Sequence, residues 1–227
     1  MKFIIITALV AAISVGVFAT KPTLGLKAGL NLSRLSELDG FETHLPGANL
    51  SCLVQFPVSP NILLQPEISY NEKGEFWAAP LGIVGGWRKI SYLETTVLVK
   101  YNLPVGKVFL QPHLGPSLGV LLSAREKNGS IYSDNPVDMD VRDSLNWIDI
   151  GVNVGLDLVL GRHFVLGIRY DTGLINVNKN KNTDKNYNRS YIVNLGYLFG
   201  KRVNKEDKSL STALPAQSVH ESYQAYR

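Results

Sequence analysis

The feature that most constrains this chain is a strict two-residue alternation of apolar and polar side chains, repeated eight times. From Thr23 to Ser33 the even positions are Leu24, Leu26, Ala28, Leu30 and Leu32, and the odd ones are small or polar. Only an extended strand with one face in each of two environments reads this way. The pattern recurs over Ala48–Val58, Ile62–Asn71, Tyr92–Asn102, Phe109–Ser123, Trp147–Leu158, Phe164–Leu174 and Tyr191–Phe199. Each run is about the length a tilted strand needs to cross a bilayer.

The connections alternate as well. Pro57–Asn61, Leu103–Lys107 and Val159–His163 are short, whereas Arg34–Gly47, Glu72–Ile90, Ala124–Asn146 and Ile175–Arg189 are long and polar. This predicts an all-β fold: an eight-stranded antiparallel up-and-down transmembrane β-barrel with short periplasmic turns and long extracellular loops.

Which face is apolar decides between lipid and water. A soluble barrel of this size is apolar inside. Here the apolar faces carry aromatic residues near the strand ends, among them Phe56, Tyr70, Tyr101, Phe164, Tyr191 and Phe199, as membrane-interface girdles do. The polar faces carry Lys27, Glu67, Glu94, Lys100, Asp149, Asp157, Arg169 and Asp171 with many glycines, which suits a crowded interior. The expected location is the outer membrane, with its lipid as the surrounding partner.

The ends read differently. Lys2, an uncharged stretch from Phe3 to Ala19 and the small residues of Val17-Phe18-Ala19 predict a signal peptide over 1–19. The barrel then occupies 20–199. After Phe199 the alternation stops, and 200–227 is expected to be a disordered periplasmic tail.

Composition excludes several classes. The 23 Lys+Arg against 19 Asp+Glu give a net charge of +4, too small and too scattered for a nucleic-acid binder. The single cysteine, Cys52, rules out a disulfide framework and cysteine-based metal sites. No cofactor, metal site or catalytic residue is expected, and the residues set no oligomeric state.

The segments Leu93–Tyr101, Gly115-Pro116-Ser117-Leu118-Gly119, Arg169-Tyr170-Asp171-Thr172-Gly173-Leu174 and Gly196-Tyr197-Leu198-Phe199 resemble the PorT-like outer-membrane β-barrel family of Bacteroidota. The resemblance spans about Leu24 to Phe199. It implies fold and location; one namesake of the family serves protein secretion.

Candidate sites follow from the faces. Lys27, Glu67, Glu94, Lys100, Arg169 and Asp171 are expected to form a charge network in the lumen. Glu67 and Glu94 lie mid-strand on neighbouring strands, so a cation is needed between them, with Arg169 the first candidate and Lys27 the second. His113 should face the lumen and bond a carboxylate. Phe76, Trp77 and Trp87 make the second outer loop apolar, either as a surface for an envelope protein partner or as girdle residues on strands that continue past the membrane. Asp134, Asp138, Asp140 and Asp143 crowd the third loop without the pattern of an EF-hand. Ser33, Ser36, Asp39 and His44 share the first loop region, the weak basis for a hydrolase or acyltransferase reading. The favoured function is a non-enzymatic outer-membrane barrel with a structural, assembly or interaction role, secretion-related or not; a barrel that binds or narrowly transports a small ligand or ion is the alternative.

Overall fold

The computed structural model describes residues 22–36, 42–78, 84–130, 137–180 and 185–199. Ten strands form one antiparallel sheet: β1 (Thr23–Ser36), β2 (Glu42–Pro57), β3 (Ile62–Ala78), β4 (Val84–Tyr101), β5 (Leu103–Val105), β6 (Val108–Ser130), β7 (Val137–Asp140), β8 (Ile148–Leu160), β9 (Phe164–Gly173) and β10 (Tyr187–Phe199). Eight of them are the staves of a barrel, in the order β4-β3-β2-β1-β10-β9-β8-β6, closed by pairing of β4 with β6. Closure leaves no free edge, which a lipid environment requires. No described helix is long and apolar enough to span a membrane.

Tight turns join the staves at one end. Gly106 (φ +59°) and Gly161 (φ +60°) adopt the left-handed conformation that a side chain resists. At the other end the sheet runs further than the alternation. β3 and β4 stay in one register from Ile62↔Tyr101 to Ala78↔Gly85, and β6 continues to Ser130 with β7 beside it. Most of the expected loop Glu72–Ile90, and part of Ala124–Asn146, are therefore strand. The alternation fades there because charged residues occupy both faces, as in Glu72-Lys73 and Arg88-Lys89, while the ladder persists.

The faces divide as the alternation requires. Leu30, Leu114, Ile168 and Leu195 point outward and are 65%, 56%, 56% and 68% exposed, whereas Lys27, Lys100, Asn153 and Asp157 point inward and are buried. The apolar surface of this barrel is its outside, which fits lipid and not water.

The lumen is layered. At the turn end Leu53, Val159, Val165 and Leu198 pack with Phe109 into an apolar plug. At the loop end Leu35, Ile90, Tyr92, Ala124, Leu145 and Val177 form a second one. The charged residues lie between these two seals.

Two prolines interrupt the wall. Pairing of β2 with β3 passes from Leu53↔Glu67 to Phe56↔Leu64, skipping Pro66, and pairing of β4 with β6 passes from Thr96↔Ser117 to Val99↔Leu114, skipping Pro116. Proline has no N–H to give to a ladder. Over the first gap lies a lipid-facing groove of about 380 Å³ lined by Leu26, Val54, Phe56, Pro66, Ile68 and Val97.

Candidate functional site

Alternation brings odd residues of β1, β3, β8 and β9 and even residues of β4 into the lumen, and closure of the sheet brings them face to face. Nine charged side chains meet there, in two groups. The group nearer the turn end holds Lys27, Lys100 and Arg169 against Glu67 and Asp157. Arg169 Nη2 donates to Glu67 Oε1 at 2.9 Å, and Nη1 lies 2.8 Å from Oε2. Lys27 Nζ lies 2.8 Å from Asp157 Oδ2 and 3.5 Å from Glu67 Oε1, and Lys100 donates to the same Asp157 oxygen. Gln65 donates a further hydrogen bond to Glu67.

The group nearer the loop end inverts the balance, with one cation for three carboxylates. Lys73 Nζ donates to Glu94 Oε2 at 2.9 Å and to Asp171 Oδ2, and it lies 3.6 Å from Asp149 Oδ2. Asn188 Nδ2 donates to Asp149 at 2.7 Å and to the Tyr92 hydroxyl at 3.2 Å. The Tyr92 ring centroid is 5.5 Å from Lys73 Nζ, within cation–π reach. Formally the first group carries one excess positive charge and the second two excess negative charges.

All six residues expected in the lumen network are buried there: Lys27, Glu67, Glu94, Lys100, Arg169 and Asp171. Their partners differ in one respect. Glu94 is held by Lys73, and neither Arg169 nor Lys27 bridges the two glutamates. Lys73 escaped the sequence reading because it follows Glu72 and precedes Gly74-Glu75, where charges occupy both faces and the alternation is lost. The strand register alone reveals it, since Lys73 continues the inward series of Glu67, Ser69 and Asn71.

Other expectations are corrected by geometry. His113 is buried, but its Nδ1 lies 3.1 Å from the Gln111 carbonyl oxygen, not against a carboxylate. Gly155 stands opposite it, where a methyl group would sit 2.6 Å from His113 Nε2. Ser33 points into the lumen and donates to the Leu45 carbonyl at 3.3 Å, whereas His44 is exposed on the outer face, 5.9 Å from the Tyr191 ring. Ser33 and His44 therefore stand on opposite faces of the wall, while the Ser36 side chain lies outside the described residues. Asp39 lies outside the described residues. Asp140 is ion-paired with Arg142 at 2.7 Å, and hydrogen bonds from Arg142 hold its carboxyl below the usual range. Asp134 also lies outside the described residues.

Phe76 and Trp87 are direct cross-strand partners on β3 and β4, and Trp77 pairs with Gly86. By the alternation Trp77 takes the face opposite Phe76 and Trp87, so the three do not form one patch. Two aromatic belts flank the apolar band: Phe164, Tyr197 and Phe199 at the turn end, and Tyr170 with Tyr191 at the loop end.

Outward apolar faces, a closed antiparallel wall, two aromatic belts and a polar lumen define an integral outer-membrane β-barrel. The chain belongs to the outer membrane protein beta-barrel domain family, whose model matches residues 20–179. No curated protein matches it. Among solved structures, Ail, the attachment invasion locus protein of Yersinia pestis, is 15% identical, covering 79% of this chain and 100% of its own, with a TM-score of 0.45. Neisserial surface protein A is 13% identical over 78% of this chain and 96% of its own, with a TM-score of 0.41. OprG from Pseudomonas aeruginosa is 10% identical over 79% and 96%, with a TM-score of 0.38.

Proposed function

We propose that this protein is a non-conducting outer-membrane barrel that acts through its outer rim as a structural, assembly or interaction component of the envelope. One observation carries the reading: the interlocked lumen charges are accompanied by two clusters of buried apolar side chains, one towards each end. An eight-stranded barrel has just enough interior to be filled this way. What remains for contact is the rim, where β3 and β4 rise beyond the bilayer and present Phe76 beside Trp87 to an envelope protein partner. The Arg169–Leu174 and Gly196–Phe199 segments support placing the chain with the PorT-like barrels of Bacteroidota, and a secretion-related role with them. A cleaved signal peptide over 1–19 and a periplasmic tail over 200–227 complete the proposed arrangement.

The test is photo-crosslinking in the native membrane from positions 76 and 87, paired with planar-bilayer recording. A defined envelope neighbour together with a silent bilayer is the expected result. Steady conductance would replace this reading with the alternative of an ion-binding or narrowly transporting barrel, which the acid excess around Lys73 favours.

A further inference from the structure

Arg34 of β1 and Arg189 of β10 are direct cross-strand partners. Both continue the outward series of their strands, Arg34 after Leu30 and Leu32 and Arg189 before Tyr191 and Val193. Like charges directly opposite each other on one face of a sheet repel. Among the described residues neither arginine side chain has a hydrogen bond or an ion pair. The rim's other cationic pair is built differently: Lys89 stands opposite Arg125, but Lys89 lies 3.2 Å from Glu72, and Arg125 faces Asp140 on β7.

The depth of the arginine pair identifies what can neutralise it. On β1 and β10 the register runs from Leu24↔Phe199 at the turn-end belt to Arg34↔Arg189. Ten residues at about 3.3 Å each make roughly 33 Å of strand. A tilt near 40° reduces this to a height of about 25 Å, the thickness of the apolar band of such barrels. The next outward pair below the arginines, Leu32↔Tyr191, lies in the upper aromatic belt, where the Tyr170 and Tyr191 rings are 5.1 Å apart. Two guanidinium groups thus stand at headgroup height, on the lipid face. Arginine is the side chain best shaped to grip a phosphate with paired donors, and it holds its charge at any physiological pH.

We propose that Arg34 and Arg189 form a binding site for a phosphomonoester of an outer-leaflet lipid headgroup, its two negative charges clamped between the two guanidinium groups, where the singly charged phosphodiester of phosphatidylcholine would not suffice. The bound phosphate removes the repulsion and fixes a lipid against the β1–β10 seam. Tyr191, and His44 beside it, form the floor of the site.

The experiment compares the full-length protein with Arg34→Gln/Arg189→Gln and with the control Lys89→Gln/Arg125→Gln. Each is folded into phosphatidylcholine vesicles without and with diphosphoryl lipid A, and its unfolding temperature and lipid A retention are measured. Lipid A should raise the unfolding temperature of the wild type and the control. The arginine variant should lose that rise and bind lipid A about tenfold more weakly, a loss in keeping with two charge-assisted hydrogen bonds. In phosphatidylcholine alone the arginine variant should be as stable as the wild type or more so. An undiminished lipid A effect in that variant would overturn the proposal. So would a loss of stability in phosphatidylcholine alone, which would reveal partners within the chain. Inorganic phosphate matching the lipid's effect would overturn the assignment to a lipid.

Discussion

Arg169 reaches across the lumen from β9 and holds Glu67 of β3 through both terminal guanidinium nitrogens, with both side chains shielded from solvent. An ion pair so placed adds little net stability over an apolar pair, but losing one member strands the other.

Arg169→Met should therefore destabilise the barrel by about 3–5 kcal/mol, and Glu67→Leu combined with Arg169→Met should recover much of that loss. Urea unfolding in vesicles, followed through the fluorescence of Trp77, Trp87 and Trp147, reads both. A single variant as stable as the wild type would show that Lys27 alone suffices for Glu67.

Lys73→Met should be harsher than Lys27→Met. It leaves Glu94, Asp149 and Asp171 without their shared cation, whereas Asp157 keeps Lys100 when Lys27 is lost. The expected signature is failure to refold into vesicles at neutral pH, seen as loss of the folded band on unheated gels. Adding Glu94→Gln and Asp171→Asn to Lys73→Met should restore folding; equal behaviour of the two single lysine variants would contradict this ranking.

Pro66→Val and Pro116→Val should each stabilise the wall. Both prolines point outward at interruptions of the ladder, and valine would supply the missing donor, worth roughly 0.5–1.5 kcal/mol. Slower amide exchange at the new valine should accompany the gain. A fall in stability would mean that the breaks relieve strain in the closed barrel.

Gly167→Ala should cost about 1–3 kcal/mol through overpacking. A methyl group there would collide with the Asn194 amide and with the Asp157 carboxylate, which Lys27 and Lys100 hold in place. Thermal unfolding of the variant checks this, and an unchanged midpoint would mean that the lumen is looser than described.

The legible part of the fold was its alternation. Leu93-Glu94-Thr95-Thr96-Val97 can only be a strand between two unlike environments, and the number of such runs sets the barrel. The lumen network was legible as a set of residues but not as pairs. Which carboxylate meets which cation depends on strand tilt and stagger, and these bring Lys27 to Asp157 across 130 positions of sequence. The two plugs were hidden for a related reason. Leu53, Val159 and Leu198 face inward beside apolar outward neighbours, so a period of two has no contrast to show there. The proposed arginine site was hidden because Arg34 and Arg189 fall in segments that read as loops and meet only through the pairing of β1 with β10.

A bore stoppered as proposed has a consequence for the whole cell. An envelope can carry an open pore only in numbers that its permeability barrier tolerates, since every copy admits small toxic molecules. A solid cylinder carries no such penalty. On the proposed reading a bacterium could crowd its surface with this protein, limited only by area and by the machinery that inserts it.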